Sequence, residues 1–393
     1  MLSLRNIFLL LFIVSLGLIS GCETVSEMSD EFFSGKDNAE PPTPLVDINT
    51  TANVQRIWSA NIGAGTKEKY LKLAPLADYG KIFTAGADGR VSARDAASGS
   101  TIWDIDSKLA ISGGPGSGDG KVYVGTSNAE VVALDENTGK VLWTSKVSTE
   151  VLASPRSDDG VVIVRTIDGK LTGLDSDTGK QIWITQRFVP LLSLRGMSSP
   201  VMYRGAAFVG FSDGKVSAIE IKSGKTLWTA RVTVPRGRSE LERIVDIDSD
   251  PLVDDQVVHA VTFQGKIATI ASTTGQVYWR KDMSSHAGIS KDNKYLYVSD
   301  DQSYVWSLDR RSSASLWRQT RLKARKVTAP ASFGPYVVVG DLEGYLHWMS
   351  KEDGRFVARV KVDDSAIIAP PIVKDDILYV VSEAGTLAAY KVR

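Results

Sequence analysis

A short unit that closes on tryptophan recurs along the chain and restricts the folds that the chain can adopt. Each copy begins with a polar or acidic residue, all but Asp309–Trp317 contain a glycine turn, and successive copies lie about 40 residues apart. The copies are Asp95–Trp103, Asp135–Trp143, Asp175–Trp183, Glu220–Trp228, Ser272–Trp279, Asp309–Trp317 and Asp353–Ala358, the last of which lacks the tryptophan. A period of this length is typical of β-propeller blades, each of which is a four-stranded sheet.

The residues between these turns have the composition of β-strands. Gly120–Gly125, Val131–Asp135 and Val141–Trp143 are short runs rich in β-branched and aromatic residues, and Gly, Asp and Asn bound them. We predict a positive φ angle at the glycine of each Thr-Gly-Lys turn, where a residue without Cβ is favoured. We also predict that each tryptophan packs between neighbouring blades and has no ligand role.

The two ends of the repeat region complement each other. Ala384–Arg393 ends the chain after three strands of its last blade, whereas Val54–Trp58 is a tryptophan strand with no blade before it. Pairing of these strands would close the ring and remove the exposed strand edges that invite aggregation. The sequence therefore predicts an all-β fold, an eight-bladed β-propeller over residues 53–393 that is closed by pairing of N- and C-terminal strands.

The first residues have the features of a lipoprotein signal peptide. Arg5 precedes an apolar run from Ile7 to Ile19, which is shorter than the roughly 20 residues that a membrane-spanning helix needs. Small residues at Ser20 and Gly21 lead to Cys22, the single cysteine of the chain. We predict a signal peptide at residues 1–21 and lipidation of Cys22, so that the protein contacts the membrane through its N-terminal lipid only.

A stretch of acidic composition follows the predicted lipidation site. Residues 23–50 contain seven acids and one lysine, together with Pro41, Pro42 and Pro44. Such a stretch has too few large apolar residues to form a core, so residues 22–52 are predicted to be a flexible acidic tether. The whole chain has 46 basic and 46 acidic side chains. This balance gives no basic face for nucleic acid.

The spacing of prolines separates constant blades from variable connections. The proline that opens a blade precedes the closing position by the same interval, for example from Pro75 to Trp103 and from Pro115 to Trp143. The connections between blades vary, and two adjacent ones, 184–199 and 229–250, are extended on one rim of the predicted ring. Long loops on a rigid scaffold often carry function. The connection after Trp58 is also long, so length alone is weak evidence.

Apolar residues in the first of these connections strengthen the prediction. Leu191, Leu192 and Leu194 lie in a segment that the repeat alignment places in a loop. An exposed apolar cluster there would indicate a protein contact. The alternative is that these leucines fold over the blade edge as a small additional core, and the composition does not decide between the two. In the second connection, Ser239 and Glu242 have the spacing of a capping box.

Catalytic and metal-binding roles find little support in the sequence. The turn unit also matches the tryptophan-docking repeat of quinoprotein dehydrogenases, which makes a pyrroloquinoline-quinone-dependent enzyme the main rival interpretation. Those enzymes often place the cofactor against a disulfide of adjacent cysteines, and this chain has one cysteine. Asp246-x-Asp248-x-Asp250 resembles the start of a calcium loop, but Pro251 occupies the place of the required glycine. We predict a protein that is not an enzyme and has neither cofactor nor metal.

The features that together indicate a family are the lipobox, the acidic tether, the eight tryptophan-type blades and the two long connections. The most specific segments are Leu192–Gly196 followed by Gly205–Ala207, Glu242–Asp248, Val339–Trp348 and Glu352–Ala358. In these features the chain resembles the BamB family, lipoproteins of the outer-membrane β-barrel assembly (BAM) machinery. The resemblance implies a non-enzymatic scaffold that binds the POTRA domains of BamA and assists the folding and insertion of outer-membrane barrel proteins. It implies partner-binding roles for Leu192, Leu194, Arg195, Asp246 and Asp248.

The resemblance also implies a location. Glu23 follows the predicted lipidated cysteine, whereas similar lipoproteins retained in the inner membrane usually carry Asp there. We therefore expect a lipid-anchored protein of the outer membrane that faces the periplasm. A further alternative is a holdase that binds unfolded barrel precursors directly.

Overall fold

Thirty-two β-strands form the regular structure in a computed structural model, which describes residues 40–66, 69–194 and 197–393. They make eight antiparallel sheets of four strands, and no helix lies within the described ranges. We call each sheet a blade and label its strands A to D. The first strand of the chain, β1 (Val54–Asn61), belongs to the last blade.

Blades 1 to 4 follow one another along the chain. Blade 1 consists of β2 (Leu76–Asp78), β3 (Lys81–Ala85), β4 (Arg90–Asp95) and β5 (Thr101–Asp106), and blade 2 of β6 (Ile111–Gly118), β7 (Lys121–Thr126), β8 (Glu130–Asp135) and β9 (Val141–Lys146). Blade 3 consists of β10 (Arg156–Asp158), β11 (Val161–Arg165), β12 (Lys170–Asp175) and β13 (Gln181–Gln186), and blade 4 of β14 (Val201–Tyr203), β15 (Ala206–Gly210), β16 (Lys215–Glu220) and β17 (Thr226–Arg231).

Blades 5 to 8 continue the series. Blade 5 consists of β18 (Leu252–Val253), β19 (Val257–Val261), β20 (Lys266–Ala271) and β21 (Val277–Asp282), and blade 6 of β22 (Gly288–Lys291), β23 (Tyr295–Ser299), β24 (Val305–Asp309) and β25 (Ser315–Gln319). Blade 7 consists of β26 (Ala331–Phe333), β27 (Tyr336–Gly340), β28 (Tyr345–Ser350) and β29 (Phe356–Lys361). Blade 8 consists of β30 (Ile372–Lys374), β31 (Ile377–Val381) and β32 (Thr386–Val392), with β1 as its strand D.

The A strands of successive blades contact each other around a closed ring, from β2 through β30 and back to β2. Strand β1 pairs antiparallel with β32, and Val54 lies opposite Val392. The predicted eight-bladed propeller, closed by strands from the two ends of the chain, is therefore confirmed. The D–A connections lie on one rim, here called the connection rim. The C–D turns lie on the other, here called the turn rim.

Burial explains the two kinds of sequence pattern within a blade. Strands B and C are covered on both faces by the neighbouring blades, so Val131–Leu134 of β8 are all buried. Burial of one such side chain contributes roughly 1.5–3 kcal/mol. The outer strand D has one solvent face and alternates, so that Leu142 is exposed and Trp143 is buried.

Each tryptophan of strand D packs against the C–D turn of the next blade. Trp103 Nε1 donates a hydrogen bond to the carbonyl oxygen of Glu136 over 3.1 Å. Gly139 of the same turn has a φ angle of 70°, and a Cβ there would lie 2.7 Å from the Trp103 ring. Trp143 repeats the arrangement with Gly179. The predicted glycine conformation and packing role of the tryptophans are therefore confirmed.

Blade 7 has Ala358 at the tryptophan position for a structural reason. The next blade has β32 as strand C and β1 as strand D, which come from opposite ends of the chain. No C–D turn joins these two strands, so a tryptophan at position 358 would have no turn to pack against. Ala358 is buried in a cluster that includes Ala52 and Val357.

The compact unit that contains the propeller begins at Pro42, before the sequence-based boundary at residue 53. Residues 43–52, which the sequence assigned to the tether, contact blade 7 through backbone hydrogen bonds. The predicted signal peptide and Cys22 lie outside the described residues. Within the described residues, no helical segment has the length and hydropathy needed to cross a bilayer.

Candidate functional site

The two extended connections meet on the connection rim. The amide of Leu194 donates to Oδ2 of Asp246, and the amide of Ser199 donates to Oδ1 of Asp250 over 2.6 Å. Ile247 lies between these bonds and is buried against Gly210. The sequence predicted that the connections lie side by side. The structure joins them by hydrogen bonds from one backbone to the side chains of the other.

The outer surface of this pair of connections is apolar. Leu191 is 91% exposed and Leu192 is 43% exposed, whereas Leu194 is half-buried. The additional-core alternative therefore does not hold for Leu191 and Leu192. Outside the strands, three further large apolar side chains of the two connections are exposed, namely Phe188, Val234 and Leu241. Large apolar side chains that form one exposed patch often mark a protein-binding site.

The aspartates implicated by the family resemblance lie beneath this surface. Asp246 is 1% exposed and Asp248 is 5% exposed. Burial, reinforced by the neighbouring charge of Asp248, raises the pKa of Asp246 to about 7, although the Leu194 amide and Arg165 oppose the shift. Burial also raises the pKa of Asp248, and the charges of Lys72 and Arg165 oppose that shift. Removal from water disfavours the ionised form of a carboxyl group.

Arg165 provides a buried positive charge that acts on both Asp246 and Asp248. It lies at the end of β11, is buried, and donates to the carbonyl oxygen and the hydroxyl of Ser198, both over 3.1 Å. Its guanidinium lies 5.2 Å from the centre of the Phe211 ring. Burial lowers the pKa of Arg165 to about 10, and the nearby aspartates, Asp248 foremost, limit the decrease. Arg165 therefore fixes the C-terminal end of the first connection from below.

A third connection approaches the same acidic residues. Lys72, which precedes blade 1, donates from Nζ to the carbonyl oxygen of His286 over 2.9 Å. Because His286 precedes blade 6, this bond joins connections from different parts of the ring. The long connection after Trp58, which length alone could not distinguish, thus contributes a charge that favours ionised Asp248.

The second connection is shaped by a local motif. The Glu242 amide donates to the Ser239 hydroxyl, and the Ser239 amide donates to the Glu242 carboxylate, each over 3.3 Å. This is the reciprocal pattern of a capping box. The segment forms a hydrogen-bonded turn instead of a regular helix, and Leu241 is exposed within it.

The structure brings together four of the five predicted contact residues. Leu192 and Leu194 lie in the first connection, and Asp246 and Asp248 lie beneath it. Arg195 lies outside the described residues, as does Cys22. Sequence reasoning missed Phe188 and Leu241, which an inspection for large apolar residues between strands would have found. It also missed Arg165, whose position inside a strand gave no signal.

Metal-binding geometry is absent among the described residues. No group of three or more His, Asp, Glu or Cys side chains there is arranged to hold a metal ion. Two histidines instead make buried hydrogen bonds in separate blades, His259 with Thr269 over 2.7 Å and His347 with Asp341 over 2.8 Å. The Asp-x-Asp-x-Asp segment holds backbone amides of the neighbouring connection.

The fold and the site together define a class of protein, an eight-bladed propeller with tryptophan-docking repeats and an apolar surface on its connection rim. Quinohemoprotein alcohol dehydrogenase from Comamonas testosteroni has a similar fold, with a TM-score of 0.69 at 14% identity over 86% of this chain and 76% of that chain. Likeness at this identity extends to the fold alone.

The family is shown by closer similarities. The family model for outer membrane protein assembly factor BamB matches residues 87–319 and 314–393. The protein of that name from Alkalilimnicola ehrlichii is 48% identical over 347 residues, which cover 88% of this chain and 91% of the relative. The crystal structure of BamB from Moraxella catarrhalis has a TM-score of 0.78 at 28% identity, over 86% of this chain and 99% of that chain. This chain belongs to the BamB family.

Proposed function

We propose that this protein is a non-enzymatic scaffold of the outer-membrane β-barrel assembly machinery, and that its connection rim binds the POTRA domains of BamA. In that complex it would assist the folding and insertion of barrel proteins. The observation that carries the proposal is the exposed apolar surface of connections 184–199 and 229–250. Its relatives are named assembly factors, which supports the assembly role.

The site residues divide into two roles in this proposal. Leu192, together with Leu191 beside it, supplies apolar area to the partner, and removal of that area from water favours binding. Asp246 and Asp248 act from below as positioning residues, because they are buried and Asp246 accepts the amide of Leu194. Arg195, which follows Leu194 in the chain, would add a charge-assisted bond that fixes the register of the complex.

The proposal includes an attachment to the membrane. Residues 1–21 would be removed as a signal peptide, and lipidated Cys22 would anchor the protein to the outer membrane on its periplasmic side. The tether between Cys22 and the propeller would hold the body away from the lipid surface. Multiple acyl chains on one cysteine give stable anchoring, whereas one chain gives only marginal binding.

The proposal is tested by the substitution Leu192→Ser in the full-length protein, followed by co-purification of BamA from detergent-solubilised outer membranes. Loss of a desolvated leucine contact lowers affinity by about 2 kcal/mol, so recovery of BamA should fall at least about tenfold. Leu142→Ser is a matched control, because Leu142 is 45% exposed and lies on the outer strand of blade 2. It should leave recovery unchanged.

Two results would contradict the assigned surface. Undiminished BamA recovery from folded Leu192→Ser protein would exclude this leucine from the interface. An equal loss in both variants would indicate that exposed leucines act through solubility and not through a specific contact. Circular dichroism of each purified variant establishes that the propeller is intact.

A further inference from the structure

Residues 42–53 form an extended segment, here called the strap, along blade 7. The Thr43 amide donates to the carbonyl oxygen of Lys323 over 3.1 Å, in the connection between blades 6 and 7. At the other end, the amides of Thr51 and Ala52 both donate to the carbonyl oxygen of Val357, over 2.9 and 3.1 Å. The strap therefore runs from the connection rim to the turn rim beside strand β29.

The strap covers an apolar position that the other blades leave exposed. The residue before the tryptophan of strand D is 39–58% exposed in those blades, where it is Ile57, Ile102, Leu142, Ile182, Leu227, Tyr278 or Leu316. The corresponding Val357 is 3% exposed and shares a core cluster with Ala52. Ile48 packs against a second cluster that contains residues of blades 6 and 7. Apolar burial thus favours the docked strap.

A buried arginine holds the N-terminal end of the strap. Arg325 is 1% exposed, and its Nε donates to Asp341 over 2.8 Å while a terminal nitrogen pairs with Glu343. Its remaining terminal nitrogen donates to the carbonyl oxygen of Thr43 over 3.0 Å. Removal of the strap would take this acceptor from a buried guanidinium. An unpaired buried donor is costly, so the ion pair and the strap are coupled.

A second arginine holds the middle of the strap. Arg359 donates to the carbonyl oxygen of Val46 over 2.9 Å, and its Nε donates to Nδ1 of His347 over 3.3 Å. Nδ1 is therefore an acceptor, which leaves the proton on Nε2, where His347 donates to Asp341 over 2.8 Å. One chain of hydrogen bonds thus links both arginines through Asp341. Such a network is stronger than isolated pairs in a medium of low polarity.

The strap changes the rim at which the N-terminal chain leaves the propeller, because Thr43 and the start of β1 lie at opposite rims. Val54 pairs with Val392 at the end of strand C, so β1 begins at the turn rim. Without the strap, the chain would leave the propeller there. With the strap docked, the chain reaches Thr43 at the connection rim, roughly 20 Å away along a six-residue strand.

We infer that the strap is an orientation device, which moves the exit point of the N-terminal chain to the rim that carries connections 184–199 and 229–250. Given the proposed lipid anchor, on which this inference rests, the device turns that rim towards the membrane surface. Arg325 and Arg359 hold the strap in place by hydrogen bonds to its carbonyl oxygens, and Ile48 and Ala52 supply apolar contact.

Docking is tested by hydrogen exchange of strap peptides in the lipidated protein in detergent. We expect slow exchange of the Thr51 and Ala52 amides in the unaltered protein, and exchange about tenfold faster in Arg359→Gln, which removes one charge-assisted bond. Arg318→Gln is the matched control, since Arg318 follows the closing position of blade 6 as Arg359 follows that of blade 7. Rapid exchange in the unaltered protein, or equal rates in both variants, would overturn the inference.

Orientation is tested with the lipidated protein in vesicles of phosphatidylethanolamine and phosphatidylglycerol that carry a headgroup quencher. A fluorophore is placed on Leu191→Cys at the connection rim or on Asn137→Cys at the turn rim. We expect stronger quenching at the connection rim, and a reduced difference when Arg359→Gln or Ile48→Ser releases the strap. Equal quenching at the two rims would refute the inference. So would a difference in quenching between the rims that is unchanged in Arg359→Gln and Ile48→Ser. BamA is absent, so failure of the partner proposal would leave this result unchanged.

Discussion

The two rims of the propeller place aspartates in opposite environments. On the turn rim, the Asp135 carboxylate is partly exposed and accepts hydrogen bonds from the Thr138 hydroxyl and amide. These bonds, those of the hydroxyl foremost, lower the pKa of Asp135. On the connection rim, burial raises the pKa of Asp246 to about 7.

The difference shows how one residue type serves two structural purposes. A partly exposed aspartate such as Asp135 completes a turn within a few residues and keeps contact with water, so the motif can be copied in blade after blade. Asp246, in contrast, is buried and accepts the amide of Leu194 from another connection, an arrangement that depends on two long connections and is not copied from blade to blade. The turn rim therefore maintains the ring, and the connection rim carries the individual surface of this protein.

The largest effect is expected from the tryptophan packing of the turn rim. Trp143→Ala should lower the free energy of unfolding by about 3–5 kcal/mol, because it leaves a cavity beside Gly179 and removes the bond to Ser176. Urea denaturation followed by tryptophan fluorescence measures the change. The neighbouring exposed Leu142→Ala is the control and should change it by less than about 1 kcal/mol.

Trp143→Ala also tests whether the two rims act independently, because this substitution on the turn rim should leave BamA binding unchanged. Folded Trp143→Ala protein at low temperature should recover BamA as well as the unaltered protein does. A loss of recovery in that folded variant would mean that the two rims are energetically coupled, contrary to the division drawn above.

A smaller effect of opposite sign is expected at the connection rim. The folded pKa of Asp246 lies above its unfolded value of about 4, so ionisation of this group reduces stability as pH rises from about 4 to about 7. Asp246→Asn cannot ionise and keeps an oxygen acceptor for the Leu194 amide. At pH 8 it should raise the free energy of unfolding by at least about 1 kcal/mol.

The matched comparison is Asp246→Ala, which removes the acceptor as well as the charge. It should be less stable than Asp246→Asn at every pH, by about 1 kcal/mol or more. Urea midpoints between pH 4 and pH 8 measure both variants. A lower midpoint for Asp246→Asn at pH 8 would show that the ionised carboxylate is stabilising, and the assigned positioning role would need revision.

The smallest effect is expected at the exposed turn. Asp135→Ala should lower the free energy of unfolding by roughly 0.5 kcal/mol, the lower range for a side-chain oxygen that caps backbone amides in solvent. The folded pKa of Asp135 is lowered, so its contribution is present above the unfolded value and is lost as pH falls through the folded value. The difference between the two proteins in urea should therefore shrink on acidification, and a constant difference would contradict this account.

The repeated parts of the molecule could be predicted from the sequence because their interactions are local. Asp135, Gly139 and Trp143 lie within one unit, and the next unit repeats them. Ring closure followed from the unmatched strand at Val54–Trp58. These patterns needed no knowledge of distant contacts.

The buried parts of the site could not be predicted in the same way. The environment of Asp246 depends on Leu194 and Arg165, which approach it from other segments of the chain. Residues 42–52 belong to the proline-containing, acidic stretch whose composition is that of a tether, and their docking depends on the guanidinium of Arg325, which is 282 residues from Thr43 along the chain. Composition describes a segment, whereas these contacts depend on its surroundings.

Closure by β1 and β32 also determines when the protein can fold. The outer strand of blade 8 is synthesised first among all the strands, and its partner is synthesised last. Until the final residues exist, β1 has no edge to join, and the contact between them closes a loop of almost the whole chain. The ring is therefore completed only after β32 has been synthesised, and contacts of such long range make its folding slow. A nascent chain that stops short of β32 lacks the edge needed to complete the ring.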